Sequence, residues 1–155
     1  MSNKPRKIAV VVTARATFSR IRTALHAIKD HPDLELKLIL AASVLLDRFG
    51  SAAELIEQDG FTIAAKVFNV LEGSTPTLMA KSTGIGIVEL ATALDQVAPD
   101  MVVTVADRYE TMATALAASY MNIPLAHVQG GEVTGSIDEK VRHAITKLAD
   151  VHLVA

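Results

Sequence analysis

Short apolar runs rich in valine and isoleucine recur along this chain, with stretches of helical periodicity between them. The runs are Lys7 to Thr13, Leu34 to Ala41, the weaker Ala64 to Val70, Met101 to Val105, Ile123 to Val128 and Val151 to Val154. Runs without polar alternation suit strands buried on both faces. Helices are predicted at about 16–29, 49–58, 76–97, 109–121 and 136–149. In the first, Phe18, Ile21, Leu25 and Ile28 recur at three- and four-residue steps and make one core face. Ser74 or Thr75 is placed to cap the third, with Pro76 in its first turn, while Gly84 and Gly86 weaken its continuity. Ser136 and Glu139 have the spacing of a capping box for the last. Strands alternating with helices at these intervals require right-handed crossovers, and hence a doubly wound parallel α/β sheet.

The chain's 155 residues are enough for one domain with a proper core. A formal charge of −2 gives no basic field, so nucleic acid is not an expected partner. The absence of cysteine removes disulfides, thiolate catalysis and zinc–thiolate sites. The five histidines, at 26, 31, 127, 143 and 152, make no compact metal-binding pattern. The first residues superficially resemble a signal peptide, but Arg15 stops the apolar run early. No stretch approaches the roughly 18 apolar residues of a membrane span. The expectation is a cytoplasmic protein without a membrane partner.

In open parallel sheets, ligands bind beyond the carboxyl ends of the strands. Thr13, Ala14 and Arg15 follow the first run, and Ala42 and Ser43 the second. Asp107, Arg108 and Glu110 follow the fourth; Gln129, Gly130, Gly131 and Glu132 follow the fifth. A guanidinium at Arg15 beside the N–H groups of a helix start suits a diphosphate. No GxGxxG or Walker loop accompanies it. Each other residue has a structural explanation as well. Asp107 and Arg108 suit an ion pair at a helix start, and Asp138 and Arg142 an i,i+4 pair. Gly130 and Gly131 suit a turn or a close approach to a ligand. His127 suits a hydrogen-bonded core histidine, and His143 a helix-surface partner of Glu139.

Together these residues resemble the hydrolysing UDP-N-acetylglucosamine 2-epimerases of the sialic-acid branch. The motifs that carry the resemblance are Asp107-Arg108, His127-x-Gln129-Gly130-Gly131-Glu132, Gly135-Ser136-Ile137-Asp138 and Arg142 through Leu148. It continues upstream through Thr13-x-Arg15, Asp47-x-Phe49-Gly50 and Ile56-Glu57-Gln58-Asp59. The resemblance implies a GT-B arrangement of two Rossmann-like domains with the active site in the cleft between them. Residues 1–155 correspond to the N-terminal domain alone, and a C-terminal domain would supply most of the uridine diphosphate site. The strand at Val154 is expected to lead toward it, leaving the chain alone catalytically incomplete and weak in UDP affinity.

The implied chemistry is loss of the C2 proton with departure of UDP from C1, then hydration of the resulting 2-acetamidoglycal. By resemblance, Asp107 and Asp138 occupy the catalytic carboxylate positions, with Glu132 in reserve. Arg15 matches the arginine of the first loop. Arg108, His127, Gln129, Gly130, Gly131 and Arg142 fall in the substrate-binding motifs. The resemblance implies no metal or other cofactor, a UDP-sugar substrate and a homodimer. Gln129 stands where many members have glutamate, Val44 where many have histidine, and Thr13 where glycine is common. These departures point to a subfamily with another substrate. The alternative substrate is UDP-2,4-diacetamido-2,4,6-trideoxyglucose, the sugar of a legionaminic-acid branch. Two other readings are a non-catalytic binding or assembly domain and a flavodoxin- or receiver-like domain; the Asp138 match weighs against the latter.

Overall fold

The computed structural model describes residues 4–46 and 52–154. Six strands form one parallel sheet: β1 (Arg6–Val12), β2 (Leu34–Ala41), β3 (Ile63–Val67), β4 (Met101–Val105), β5 (Leu125–Gly130) and β6 (Val151–Val154). Their order is β3-β2-β1-β4-β5-β6. The helices are α1 (Arg15–Asp30), α2 (Ala52–Gln58), α3 (Pro76–Val97), α4 (Tyr109–Tyr120) and α5 (Ile137–Leu148). The chain builds outward from β1 in one direction and from β4 in the other. The carboxyl ends of β1 and β4 therefore flank the topological switch point, where such sheets open a crevice.

Strand periodicity divides the core in two. Ala9 and Val11 of β1, with Ile39 and Ala41 of β2, face the layer of α3, α4 and α5. Val10 and Val12, with Leu38 and Leu40, face Ile21 and Leu25 of α1 and Ile56 of α2. Both faces are thus covered over the carboxyl-terminal halves of β1 and β2, which is why Ala9–Val12 and Leu38–Ala41 read as continuous apolar runs.

The helix α3 is unbroken across Gly84 and Gly86. A Cβ on Gly86 would stand 2.8 Å from the Cβ of Ala113, so glycine there sets the close approach of α3 and α4. Ala-rich α4 answers it, with Ala113, Ala115, Ala117 and Ala118 all buried. Thr75 caps α3 by accepting from Leu78 N–H, and Pro76 fills the first position.

β5 lies two residues later than its apolar run suggests. Asn122 has φ of 56°. Ile123 N–H donates to Ala118 C=O and Asn122 N–H to Ser119 C=O, a left-handed helix terminator. Ile123 therefore closes α4, and pairing begins at Leu125. β3 also ends early, because Asn69 turns inward beneath α3 toward Ser82. The start of the predicted 49–58 helix, and the motif Asp47-x-Phe49-Gly50, lie outside the described residues.

Candidate active site

A cleft of about 790 Å³ opens at the switch point. Its walls bring together Arg15 from α1, Ser43 after β2, Arg108 and Glu110 around the start of α4, and Asp138 from the first turn of α5. The loop before α3 adds Gly73 and Ser74. Arg15, Arg108 and Asp138, all singled out from sequence, therefore share one cavity.

Local structure explains why these groups face outward. Ala14 caps α1 without a side-chain hydrogen bond, and Arg108 does the same for α4. No N-cap side chain therefore covers the first N–H groups of either helix, although Glu110 N–H meets its own carboxyl, beside a cleft that holds two guanidiniums. Ser43 Oγ donates to Thr13 C=O at 2.9 Å, and Val44 N–H donates to the same oxygen at 3.1 Å. These bonds stitch the loops after β1 and β2. Val44, at the position where the family often has histidine, points into the core and is 2% exposed.

Behind this open wall lies a tied corner. The Arg142 guanidinium is 1% exposed and pairs with the Asp107 carboxylate, while its other terminal nitrogen donates to Glu132 C=O. One side chain of α5 thus joins the loops after β4 and β5. The partner of Arg142 is Asp107, and neither the expected Asp138–Arg142 pair nor an Asp107–Arg108 pair forms. A helix turn offers proximity, but the desolvated guanidinium reaches the carboxylate packed against its own buried face. Arg108 instead lies 3.5 Å from the Glu110 carboxylate. The His143–Glu139 pair forms at 3.7 Å.

His127 is buried beneath the same corner. Its Nε2 lies 2.9 Å from Ala106 C=O and its Nδ1 3.1 Å from Thr146 Oγ. A carbonyl only accepts, so Nε2 carries the proton and, in the neutral ring, Nδ1 accepts from the threonine. Burial pushes the imidazole below its ordinary pKa, favouring that neutral form. The ring supports Ala106, whose φ of 67° turns the chain toward Asp107. Gly130 leaves room for this network: a Cβ there would stand 3.0 Å from Thr146 Oγ and 3.3 Å from His127 Nδ1.

Gln129 does not line the cleft. Its side-chain oxygen accepts from Arg20 of α1 at 2.9 Å, and its φ of 65° accompanies a register shift between β5 and β6. Gly131 has φ of 96°, a conformation that favours glycine. Glu132 is exposed. Ala42, Ala106 and Gln129 are non-glycine residues in the left-handed region, and all sit at carboxyl ends of strands. Backbone strain of on the order of 1 kcal/mol each is thereby concentrated along the edge that carries the site.

The capping box of α5 is modified. Ser136 accepts from Asp138 N–H at 3.2 Å, but the Glu139 carboxylate accepts from Thr134 and Gly135 N–H. Those two N–H groups hold the Glu139 carboxyl below the usual range. The loop that delivers Asp138 is fixed at both ends by this arrangement. A second hollow, of about 460 Å³, lies between α1 and α2; its Arg22 is already paired with Asp59. Among the described residues, no group of three or more His, Asp or Glu side chains is placed to hold a metal.

The sequence profile of the family described as UDP-N-acetylglucosamine 2-epimerase matches residues 26–155. The chain belongs to this family. The hydrolysing GDP/UDP-N,N'-diacetylbacillosamine 2-epimerase of Campylobacter jejuni is 35% identical to it over 151 residues. The hydrolysing UDP-N,N'-diacetylbacillosamine 2-epimerase of Legionella pneumophila is 34% identical, and the UDP-N-acetylglucosamine 2-epimerase of Neisseria meningitidis 30% identical, each over 150 residues. Each comparison covers 97% of this chain but only 39–40% of the relative, so the chain spans about two fifths of their length. A crystal structure of a UDP-N-acetylglucosamine 2-epimerase superimposes with TM-score 0.84 at 21% identity, over 97% of this chain and 42% of that one. The glycosyltransferase SnogD of Streptomyces nogalater gives 0.52 at 13% identity, over 93% and 38%. The fold is thus the Rossmann-like one shared with these structures, each of which it matches over about two fifths of their length.

Three residues that matter to this geometry drew no functional role from sequence. Arg20 is remote in sequence from Gln129. Ser43 is an ordinary loop serine. Glu110 carried the one available signal, an acidic side chain in the same helix start as Arg108.

Proposed function

We propose that this chain is the N-terminal domain of a hydrolysing UDP-2-acetamidosugar 2-epimerase. The observation that carries the reading is the shared cleft of Arg15, Arg108 and Asp138 at the switch point of an epimerase-family fold. The two guanidiniums and the bare starts of α1 and α4 favour the diphosphate, and favour it more as negative charge develops on the departing UDP. The C2 proton passes to a carboxylate, the C1–O bond breaks, and a C1–C2 double bond forms as UDP leaves. Water then adds its oxygen at C1, and C2 receives a proton on the opposite face. The products are UDP and the free 2-epimeric sugar.

In this reading Asp107 and Asp138 carry the proton transfers. Arg142 is a positioning residue, since it fixes the Asp107 carboxylate from beneath. Gln129 cannot cycle a proton; in this reading it is a hydrogen-bonding group that must exchange Arg20 for the sugar, since it does not line the cleft. Glu132 is the reserve acid. His127, Gly130 and Gly131 shape the corner. A C-terminal domain closes the cleft, and two such enzymes form a homodimer in the cytoplasm.

A second reading concerns the sugar. Two of the relatives, at 35% and 34% identity, are named for diacetylbacillosamine, against 30% for the N-acetylglucosamine enzyme of Neisseria. That order favours a substrate with an acetamido group at C4. The test is to assay the intact enzyme with UDP-N-acetylglucosamine and with UDP-2,4-diacetamido-2,4,6-trideoxyglucose, following UDP release and solvent deuterium at C2. Release of UDP with deuterium at C2 is the expected result. UDP release without C2 exchange would mean simple hydrolysis and would overturn the epimerase reading.

A further inference from the structure

Glu110 is the acidic group of the cleft that the reaction above leaves without a task. It stands in the first turn of α4, is 2% exposed, and lines the cleft. Its Oε2 is buried and has no hydrogen-bond partner. Arg108 Nε is 3.5 Å away, close enough for attraction but without a hydrogen bond. An ionised carboxylate in such a place forfeits its solvation without full compensation, whereas the neutral acid loses far less. The other charged or titratable groups of the cleft are Arg108 and Tyr109 beside it, Asp138 on α5 and Arg15 on α1. Burial is the main influence and raises the carboxyl above its usual range; a hydrogen bond from its own backbone N–H and the charge of Arg108 oppose this, while Asp138 pushes the same way as burial.

We propose that Glu110 meets the nucleotide diphosphate as a neutral carboxylic acid, donating a hydrogen bond to a phosphate oxygen on the wall shared with Arg15 and Arg108. This inference rests on the nucleotide-sugar reading and deepens it. An ionised Glu110 would repel the diphosphate that the two arginines attract. A protonated one adds a donor to the cleft wall, from a carboxyl whose buried Oε2 now has no partner. Ligand binding and the proton on Glu110 are therefore linked: each favours the other. No bond to carbon changes at this residue, and the proton stays on the carboxyl while the diphosphate is bound.

Two measurements on the 155-residue chain test this. In the first, carboxyl carbon signals are followed by NMR across pH without ligand, with Glu110 identified by its loss in Glu110→Gln. The Glu110 signal is expected to stay in the protonated position after the exposed glutamates have ionised; titration together with them would overturn the proposal. In the second, UDP is titrated to millimolar concentration at several pH values, with binding read from shifts of cleft residues. Above the pH where Glu110 ionises, wild-type affinity should fall about tenfold per pH unit relative to Glu110→Gln, whose amide still donates. Glu110→Ala should bind more weakly than Glu110→Gln at every pH. Binding with the same pH dependence in wild type and Glu110→Gln overturns this inference and leaves the nucleotide reading intact. Absence of UDP shifts in all three proteins overturns the diphosphate assignment together with the UDP site on this domain, while the first measurement still decides the protonation state.

Discussion

The open wall and the tied corner share one sheet edge yet are built in opposite ways. In the wall, Arg15 and Arg108 are exposed, their helix starts lack side-chain caps, and Glu110 keeps an oxygen unpartnered. In the corner, Arg142 and His127 are buried, and each joins two segments distant in sequence. The wall has spare hydrogen-bonding capacity for a ligand. The corner uses both terminal nitrogens of Arg142 and both ring nitrogens of His127 internally, leaving Arg142 Nε as its one buried unpartnered donor, and so fixes the position of Asp107. A base that must reach a particular carbon needs such support, whereas a diphosphate site benefits from donors with no prior commitment.

The sharpest way to break this contrast is to remove the tie. Arg142→Met should lower the stability of the chain by about 3 kcal/mol, since it strands a partly buried carboxylate and a backbone carbonyl. Arg15→Met, in the open wall, should change stability by no more than about 0.5 kcal/mol. Urea denaturation of both variants checks the pair, and equal losses would erase the distinction. In the intact enzyme, Asp107→Asn and Asp138→Asn should each reduce turnover about 100-fold, the scale of a lost general acid or base. If both retain near-normal rates while Glu132→Gln abolishes deuterium exchange at C2, the acid–base work belongs to Glu132.

A smaller effect separates the two regions by pH. Folding keeps His127 neutral, whereas the unfolded chain binds a proton there near pH 6.5. The unfolded state then holds more protons, so stability falls as pH drops below about 6.5, until folded His127 is itself protonated. Melting curves of wild type and His127→Gln between pH 5 and 8 should diverge in slope on the acidic side. The smallest effect is expected at the margin of the corner. Gln129→Gly relieves a left-handed backbone but loses the exposed bond to Arg20, a net change within about 1 kcal/mol. Its consequence should appear instead as weaker sugar binding by the intact enzyme, measured as a rise in KM.

The contrast also marks what could be read from sequence. The strands were legible because strand segments buried on both faces leave short apolar runs, as in Leu38–Ala41 at the end of β2 and in Met101–Val105; β2 and β4 are both found at the predicted residues. The N-caps Thr75 and Ser136 were legible because they are local, whereas the Glu139 half of the expected capping box bonds Thr134 and Gly135 instead. The wall was partly legible, since a parallel sheet sends every strand's carboxyl end to one edge. The corner was not. Asp138 lies one turn from Arg142, but Asp107, 35 residues away, holds the guanidinium. The two-residue displacement of β5 likewise depends on a left-handed Asn122 that apolar patterning does not register. For Glu110, the acidic residue was visible at a helix start, but its burial comes only from packing.

Strand β6 carries a consequence for handling the molecule. It pairs with β5 on one side and is the outermost strand of the described sheet on the other. Val151, Leu153 and Val154 are exposed along it, and neither proline nor a lysine interrupts Val151–Val154. Natural edges are usually blunted by charge, bulges or a covering segment. In solution as an isolated 155-residue chain, β6 would offer a ready template for another strand, so concentrated samples should self-associate edge to edge. A lysine at Leu153 is the economical remedy, because it places a charge on the exposed ribbon and leaves both halves of the core untouched.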